Sequence, residues 1–247
     1  MTEAEQITEA VYVGMPYSGN PCEGAVRSLY RTASQKRHTF CNSIQMSLLC
    51  MAFNSLWCGA LNRRKEGVKY FAMIHSDIVP EPWWLDILID ELEAHNADVV
   101  SAVVPIKNDE GVTSTAIDDP ENPYCPMARL TVKQTLDLPK TFSAKDVGFP
   151  DRALLINTGL FVCRFDQPWV EKIHFNIKDR IVVDKDGTFW PEVEPEDWGF
   201  SKQLHGLRRK VMATTAVRLS HVGHFGYGNA HAWGHETDPN HPEAIKL

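Results

Sequence analysis

The sequence contains no long basic segment of the kind that binds nucleic-acid phosphates. It has 25 lysine and arginine residues and 32 aspartate and glutamate residues, so the formal net charge is -7. The longest basic runs are two tripeptides, at 63–65 and 208–210. Because tight binding to a polyanion normally requires a basic face, the composition argues against nucleic acid as a tightly held partner. The composition is still compatible with a small basic patch around a binding site.

Long apolar runs and paired cysteines are absent as well. No apolar run approaches the length of about 20 residues that a bilayer-spanning helix requires. The first residues, 1–5, are acidic and polar, unlike the start of a signal peptide. The six cysteines include no Cys-x-x-Cys pair. These absences predict free thiols, no membrane span and a cytoplasmic location.

Three motifs that identify common α/β enzyme classes are also missing. The sequence has no G-x-S-x-G elbow, no P-loop and no G-x-G-x-x-G fingerprint. It does have a globular composition, with 43% hydrophobic and 23% charged residues. A length of 247 residues suits one large core better than two domains. We predict a single domain over 1–247, with a core at about 10–228 and a C-terminal loop or tail at 229–247.

Short apolar segments alternate with segments of helical spacing along the chain. The predicted strands are 10–14, 68–74, 98–104, 153–157, 159–163 and 211–219, and the predicted helices lie near 25–30, 43–61, 83–92 and 196–207. The polar stretch 107–152 is predicted to be a long loop with a small antiparallel excursion. This order predicts an α/β, Rossmann-like fold with a mostly parallel sheet flanked by helices.

His75, Ser76 and Asp77 directly follow the apolar strand 68–74. Alternate side chains of a strand share a face, so His75 and Asp77 can point the same way at the carboxyl edge of the sheet. An imidazole and a carboxylate there are suited to a divalent cation such as Mn²⁺, with diphosphate oxygens completing its shell. The alternative is an aspartate that caps a helix beside a buried histidine.

Glu196 and Asp197 precede an aromatic residue and a predicted helix. Acidic side chains stabilise a helix N-terminus, so capping explains both residues. A general base that deprotonates a hydroxyl group is the functional alternative. The residues alone leave both interpretations open.

His221, His224, His231 and His235 form a group of closely spaced histidines toward the C-terminus. Histidines grouped in this way suggest metal binding, but their spacing in a glycine-rich segment also suits surface residues. His221 and His224 follow the last predicted strand, where a ligand can return to the same sheet edge as Asp77.

Taken in order, these segments resemble the metal-dependent glycosyltransferases of the GT-A fold, in particular small single-domain members of the family-2-like group. The segment 13–17 resembles the first strand and base-binding loop, 71–78 the strand that leads into the D-x-D motif, 157–162 the strand on the acceptor side, 195–200 the E-D motif, and 220–223 the late metal-binding histidine. The resemblance covers most of the chain, from about 11 to 227.

The resemblance implies a nucleotide-sugar donor, held with Mn²⁺ or Mg²⁺ over the carboxyl ends of the strands, and a hydroxyl acceptor. The implied donor-binding residues are Pro16, Tyr17, Asn20, Asn54, His75 and Ser76. The implied metal ligands are Asp77, His75, and His221 or His224. The implied catalytic residues are Asp197, as the base, and Glu196. The implied acceptor-binding residues are Trp198 and Asn157. The acceptor can be a saccharide, a protein, a lipid or a modified nucleic-acid base.

Two positions depart from the family pattern. His75 replaces the first aspartate of D-x-D, and Phe53 and Asn54 stand where similar members have an Arg-Asn pair. These departures leave room for a non-catalytic nucleotide-sugar-binding module of the same fold. A metal-dependent hydrolase built on histidines and Asp77 is another alternative. A nucleotidyltransferase is disfavoured because the segment 15–19 has no basic residue.

Overall fold

The computed structural model describes residues 9–120, 127–223 and 225–233. Within these ranges the strands are β1 (Ala10–Tyr17), β2 (His38–Gln45), β3 (Val68–Ile74), β4 (Ile78–Pro80), β5 (Val99–Ala102), β6 (Val112–Asp118), β7 (Met127–Thr131), β8 (Thr141–Phe142), β9 (Leu154–Leu155), β10 (Leu160–Arg164), β11 (Lys178–Val183), β12 (Phe189–Glu194), β13 (Val211–Thr214), β14 (Leu219–Val222) and β15 (Gly226–Gly228). The α-helices are α1 (Glu23–Tyr30), α2 (Leu49–Asn62), α3 (Trp84–Ala94), α4 (Val132–Asp137) and α5 (Glu196–Gly206).

The central sheet has seven strands in the order β2-β1-β3-β10-β5-β13-β8. β1 runs parallel to β2 and β3, and β13 runs parallel to β5. β10 is antiparallel to β3 and β5, and β8 is antiparallel to β13. Five strands therefore share one direction, and their carboxyl ends meet at one edge. The predicted α/β fold with a mostly parallel sheet is confirmed.

Helices cover both faces of this sheet and explain why β3 is apolar apart from the half-buried Lys69. Phe71 of β3 packs in one apolar cluster with Trp57 of α2. Ile74 of β3 packs in a second cluster with Leu88 of α3. A strand buried on both faces has no exposed position that favours a polar side chain. The same burial fixes the point at which β3 ends and the polar residues begin.

Two predicted boundaries near the N-terminus are wrong. Residues 43–45, predicted as the start of a helix, belong to β2, and α2 begins only at Leu49. β1 extends to Tyr17 instead of ending near Gly14, because β2 pairs with it over its full length. β2 is an edge strand with half-buried and exposed residues. Its mixed polar sequence therefore lacks the clear alternation that identifies a strand.

The stretch 107–152 contains more regular structure than a loop. β6 pairs antiparallel with β7 and β9, which forms the predicted antiparallel excursion as a three-stranded sheet. α4 follows β7 directly, and Thr131 and Gln134 form a capping box at its start. This reciprocal pair of bonds satisfies two backbone N–H groups and makes so short a helix possible.

A hairpin of β11 and β12 was not predicted from the sequence. Its strands pair in register, with ion pairs from Lys178 to Glu194 at 2.6 Å and from Arg180 to Glu192 at 2.5 Å. Pro191 lies inside β12, and a proline within a run argues against a strand in sequence-based reasoning. Cross-strand charge pairs, which a linear pattern does not reveal, hold this hairpin together.

The predicted strand 211–219 is two strands, separated by a bend at 215–217. β13 remains in the central sheet, whereas β14 joins β4 and β15 in a small antiparallel sheet. In that sheet His221 of β14 lies opposite Ile78 of β4. The bend thus carries the chain from the central sheet to the segment after β3. Among the described residues, no helix is long and apolar enough to cross a membrane.

Candidate active site

The backbone that follows β3 is fixed by two segments that are distant in sequence. The His75 N–H donates to the Gly159 carbonyl at 2.8 Å, and the Asp77 carbonyl accepts from the Val222 N–H at 2.7 Å. Neither bond depends on a side chain. The residues before β10 and the end of β14 therefore meet at the carboxyl edge beside Asp77.

Two side chains, a lysine and a histidine, contact the same oxygen of the Asp77 carboxylate. Its Oδ2 lies 2.5 Å from Lys107 Nζ and 3.3 Å from His221 Nε2. Burial by itself would raise the pKa of the Asp77 carboxyl, but the contacts with His221 and Lys107 outweigh it and hold that pKa well below its usual range. Asp77 is therefore a carboxylate at neutral pH. The N-cap of α3 is Trp83, so Asp77 does not cap that helix.

The tautomer of His221 follows from its second contact. His221 Nδ1 lies 2.7 Å from the Pro105 carbonyl oxygen, which can only accept a hydrogen bond, so Nδ1 carries a proton. In the neutral ring Nε2 then presents a lone pair to the Asp77 carboxylate. Two acceptors at 3.3 Å repel each other unless a proton or another cation lies between them. A backbone carbonyl that orients the remote nitrogen is also the usual arrangement around metal-bound histidine.

Asp77 and His221 suit a divalent cation, with two limits. A carboxylate oxygen and an oriented imidazole nitrogen are ligands that Mn²⁺ accepts, and Mg²⁺ is often bound by one or two carboxylates together with substrate phosphates. Among the described residues, however, no group of three or more histidine, cysteine, aspartate or glutamate side chains is placed to hold a metal. Lys107 also occupies the Asp77 oxygen. A metal here needs ligand oxygens and the displacement of Lys107.

His75 lies behind this carboxylate in an apolar setting. Its ring packs against Phe53, with the ring centroids 5.1 Å apart, and its Nε2 is buried without a hydrogen-bond partner. Burial lowers the pKa of His75 to about 4, which the negative charge of Asp77 only partly opposes. His75 is neutral at physiological pH. An unpaired buried nitrogen costs free energy, so it indicates a group that awaits a partner.

Asp197 occupies the first turn of α5 and is almost enclosed. Its Oδ1 accepts the Trp198 N–H at 2.8 Å, one of the free amides of the helix start. Burial raises the pKa of the Asp197 carboxyl to about 7, and the neighbouring Glu196 charge acts in the same direction. A carboxyl group that titrates near neutrality is suited to accept a proton during a reaction. The capping contact and a role as base are thus compatible.

The residues just before β10 connect Asp197 to the region of Asp77. The Ile156 N–H donates to Ser201 Oγ at 3.0 Å, and Ser201 Oγ donates to the Asp197 carbonyl at 2.8 Å. Asn157 Oδ1 accepts the Gly159 N–H at 2.6 Å. The carbonyl of the same glycine accepts from the backbone after β3. One short segment therefore contacts both the first turn of α5 and the carboxyl edge, which gives Asn157 a place between the two.

The raised pKa of Asp197 predicts a pH-dependent effect on stability. An unfolded aspartate has a pKa of about 3.9, so between pH 4 and 7 the folded chain binds more protons at this group. Asp197 therefore destabilises the fold increasingly as pH rises through this window. We expect Asp197→Asn to gain roughly 1 to 4 kcal/mol of unfolding free energy relative to the natural chain between pH 4 and pH 8. Urea unfolding at both pH values measures it.

Asp90→Asn is the matched control for that measurement, since Asp90 is an exposed carboxylate paired with Lys36. It should follow the natural chain over the whole range. If the difference in unfolding free energy between Asp197→Asn and the natural chain is the same at pH 4 and at pH 8, the raised pKa of Asp197 is contradicted.

The proposed donor-binding residues lie next to this edge. Pro16 and Tyr17 form the end of β1, and Asn20 is exposed in the loop that follows. The loop returns to the site through the Cys22 N–H, which donates to the Ser76 carbonyl at 2.8 Å. Their role in donor binding stays a prediction.

Asn54 and Trp198 make contacts that give each a structural task. Asn54 Nδ2 donates to the Phe175 carbonyl at 2.7 Å, and its Oδ1 accepts the Phe175 N–H at 2.8 Å, so both ends of the amide are engaged. The Trp198 ring is 7% exposed, and the Arg129 guanidinium lies 5.1 Å from its centroid. The face of Trp198 that could stack on a sugar is thus covered. Its Nε1 is buried and has no hydrogen-bond partner among the residues that the structure describes.

Sequence reasoning placed Asp77, His75 and His221 in one region and missed Lys107 and Pro105. His224 lies outside the described residues, so only His221 has a described position. Lys107 comes three residues after the predicted strand 98–104, at the carboxyl edge. A search for polar residues after each parallel strand finds it, because such residues collect at one edge.

Comparison with known proteins reveals the fold and no family. No protein-family model matches the sequence, and no curated protein does. The solved structure titled "Crystal Structure of A197 from STIV" is similar at a TM-score of 0.52 and 12% identity, over 96% of this chain and 98% of that chain. At this identity the likeness shows a shared fold alone. It agrees with the α/β architecture described above.

Two further solved structures overlap less well. One is an apo UDP-glucose pyrophosphorylase, with a TM-score of 0.34 and 13% identity over 75% of this chain and 59% of that chain. The other is the UDP-glucose pyrophosphorylase from Leishmania major, with a TM-score of 0.30 and 12% identity over 67% of this chain and 36% of that chain. These overlaps are too weak to carry an argument about function.

Proposed function

We propose that the chain transfers a glycosyl group from a nucleoside diphosphate sugar to a hydroxyl acceptor at the carboxyl edge of its central sheet. The observation that carries this proposal is the convergence of Asp77, His221 and Lys107 at that edge. Ligands of parallel α/β sheets bind where the strands end. The order of segments that resembles GT-A glycosyltransferases gives the proposal its reaction class.

Asp77 Oδ2 and His221 Nε2 would hold a divalent cation together with diphosphate oxygens of the donor. When bound, such an ion supplies Lewis-acid stabilisation of the leaving diphosphate. The Pro105 carbonyl keeps the His221 ring in the orientation that presents Nε2. His75 Nε2 is buried and has no partner among the described residues, so it would bond a donor oxygen only if donor binding uncovers it.

Lys107 has a second task in this proposal. Its ammonium neutralises Asp77 in the chain without ligand, at 2.5 Å. When the diphosphate arrives, the same ammonium can turn to a phosphate oxygen, since lysine is a flexible point charge with three donors. Lys107 Cδ lies 3.1 Å from the position of a Cβ on Gly223, so a side chain at that glycine would crowd the lysine. The glycine leaves room for this movement.

Asp197 would act as the base of an inverting transfer. The acceptor oxygen forms a bond to the anomeric carbon, and the bond from that carbon to the diphosphate breaks. Its electron pair remains on the departing nucleoside diphosphate, and the hydroxyl proton passes to the Asp197 carboxylate. Asn157, in the segment that contacts both the first turn of α5 and the backbone after β3, would bond the acceptor.

A thermal-shift panel tests the proposal. Uridine, guanosine, thymidine and adenosine diphosphate sugars are added with and without Mn²⁺. A donor present at 100 times its dissociation constant stabilises the fold by about 2.7 kcal/mol, which corresponds to roughly 5 to 10 °C for a chain of this size. We expect such a shift for at least one donor, and only with the metal. A flat response to every donor refutes the proposal.

One observation favours a second candidate, a non-catalytic nucleotide-sugar-binding module. Lys107 already supplies a positive charge at Asp77, and His75 stands where the family pattern has an aspartate. A site of this kind can bind a diphosphate without metal. Donor hydrolysis separates the candidates, since slow release of free sugar with Mn²⁺ requires an active enzyme. A zinc hydrolase is less well supported, because catalytic zinc normally has three protein ligands and the described residues bring together two.

A further inference from the structure

A second polar pocket lies at the opposite end of the central sheet from Asp77. Its walls include Val211, the first residue of β13, and His205, in the last turn of α5. β13 runs parallel to β5, whose carboxyl end leads toward Lys107, so the amino end of β13 faces away from the candidate active site. α5 has Asp197 in its first turn and His205 in its last, so the helix separates the two places by roughly 12 Å. This pocket is therefore distinct from the proposed donor site.

The pocket is positively charged in a chain whose net charge is negative. Four of the described residues that line it, Lys145, Arg152, Arg209 and Lys210, are cations, and none is acidic; His205 also lines it. The chain as a whole has a formal net charge of -7. A local concentration of one charge against the global balance indicates selection for a ligand of the other sign.

Part of this charge is used by the fold. Arg209 Nε donates to the Leu207 carbonyl at 2.9 Å, and Lys210 Nζ donates to the His95 carbonyl at 2.5 Å. These bonds satisfy backbone carbonyls near the end of α5 and after α3, and they also hold both side chains in place. Because a carbonyl bears no net charge, the positive charges of Arg209 and Lys210 persist.

Carboxylates border the pocket and pair with two of its four cations, Arg152 and Arg209. Asp119 pairs with Arg152 at 2.7 Å, whereas Asp98 is 4.0 Å from Arg209. Asp146 accepts the N–H and the hydroxyl of Ser143, at 2.7 and 2.8 Å, and is occupied within its own turn. In the part of the chain that the structure describes, Lys145 forms no ion pair.

We propose that this pocket binds a phosphate group of a small ligand. The pocket is concave, with a cavity volume of about 180 Å³, which is below the usual range for sites that enclose a whole small molecule and suits a single anionic group. A flat basic stripe would suit a nucleic-acid backbone, whereas a concave cluster suits one anionic group. Lys145 would supply the main unpaired charge, Arg209 a fixed guanidinium, and Ser143 and His205 further polar contacts. The proposal does not depend on the glycosyltransferase activity.

Isothermal titration with inorganic phosphate at low ionic strength tests it. Titrations are made with the natural chain and with Lys107→Met, which removes the cation beside Asp77. We expect both to bind phosphate, and Lys145→Met to weaken binding by about tenfold, equivalent to about 1.4 kcal/mol. Lys145→Arg keeps the charge and should retain binding. Lys185→Met, at the exposed turn of the hairpin, is the matched control and should leave binding unchanged.

The alternatives give different results in the same titrations. If Lys107→Met loses phosphate binding and Lys145→Met binds phosphate normally, the anion belongs to the active site and the proposal is overturned. An absence of phosphate binding in the natural chain overturns it as well. A hexose phosphate that binds more tightly than free phosphate, and depends on Lys145, identifies a phosphorylated metabolite as the ligand class. If a short oligonucleotide binds more tightly than phosphate and hexose phosphate, and if Lys145→Met and Lys185→Met weaken its binding equally, the chain has a general polyanion-binding surface. That result refutes a specific phosphate site in the pocket.

Discussion

Replacing Asp197 by Asn is expected to lower the rate of glycosyl transfer by about 10²- to 10⁴-fold, the usual contribution of a general base. Asparagine keeps the size of the side chain and can still accept the Trp198 N–H, which Asp197 Oδ1 accepts at 2.8 Å. It cannot accept the acceptor proton. Donor binding, measured by the Mn²⁺-dependent thermal shift, should be almost unchanged. Normal turnover in this variant would remove Asp197 from the role.

The pH profile of the natural chain provides an independent check. Burial raises the pKa of Asp197 to about 7, and only the carboxylate can accept a proton. The ratio kcat/KM should therefore rise with pH and level off above about pH 7. Glu196→Gln removes the neighbouring negative charge that helps to raise this pKa. We expect the rise to move to lower pH in Glu196→Gln, with much of the activity retained.

The second large effect is expected at Asp77. Asp77→Asn removes the carboxylate of the proposed metal-binding pair, and the amide that replaces it is a weak ligand. We expect the Mn²⁺-dependent thermal shift by the donor to disappear and turnover to fall by at least about 10²-fold, as when one strong electrostatic contact of a transition state is removed. Asp90→Asn, a change of the same kind at an exposed ion pair with Lys36, should leave both quantities intact.

Lys107→Met separates a metal site from a purely cationic one. Lys107 Nζ occupies the oxygen of Asp77 that a metal requires, at 2.5 Å. If a metal binds there, removal of the ammonium should increase the affinity for Mn²⁺ while the diphosphate loses one contact. If Lys107 itself serves in place of a metal, Lys107→Met should abolish donor binding and Mn²⁺ should not restore it. The second result would contradict the metal-dependent mechanism.

The carboxyl-edge position of Asp77 could be predicted because β3 is read directly from the sequence. Val68–Ile74 is apolar apart from Lys69, so its end and the polar residues after it are visible without a structure. The buried helices around it follow from spacing in the same way. Lys107 was not found, since its significance depends on where the loop after β5 turns. The hairpin of β11 and β12 was missed because charge pairs across strands have no signature along one strand.

The sequence by itself determined the α/β class, the mostly parallel sheet and the end of β3, because these depend on local periodicity and on burial of apolar residues. It also identified Asp197 at the start of a helix. Only the tertiary structure decided which groups face Asp77. It brings Lys107 and His221 to one oxygen of the Asp77 carboxylate and fixes the His221 tautomer through the Pro105 carbonyl. It also buries the Asp197 carboxyl, which raises its pKa. Charge, tautomer and pKa depend on neighbours within a few ångströms, and those neighbours come from segments far apart in the chain.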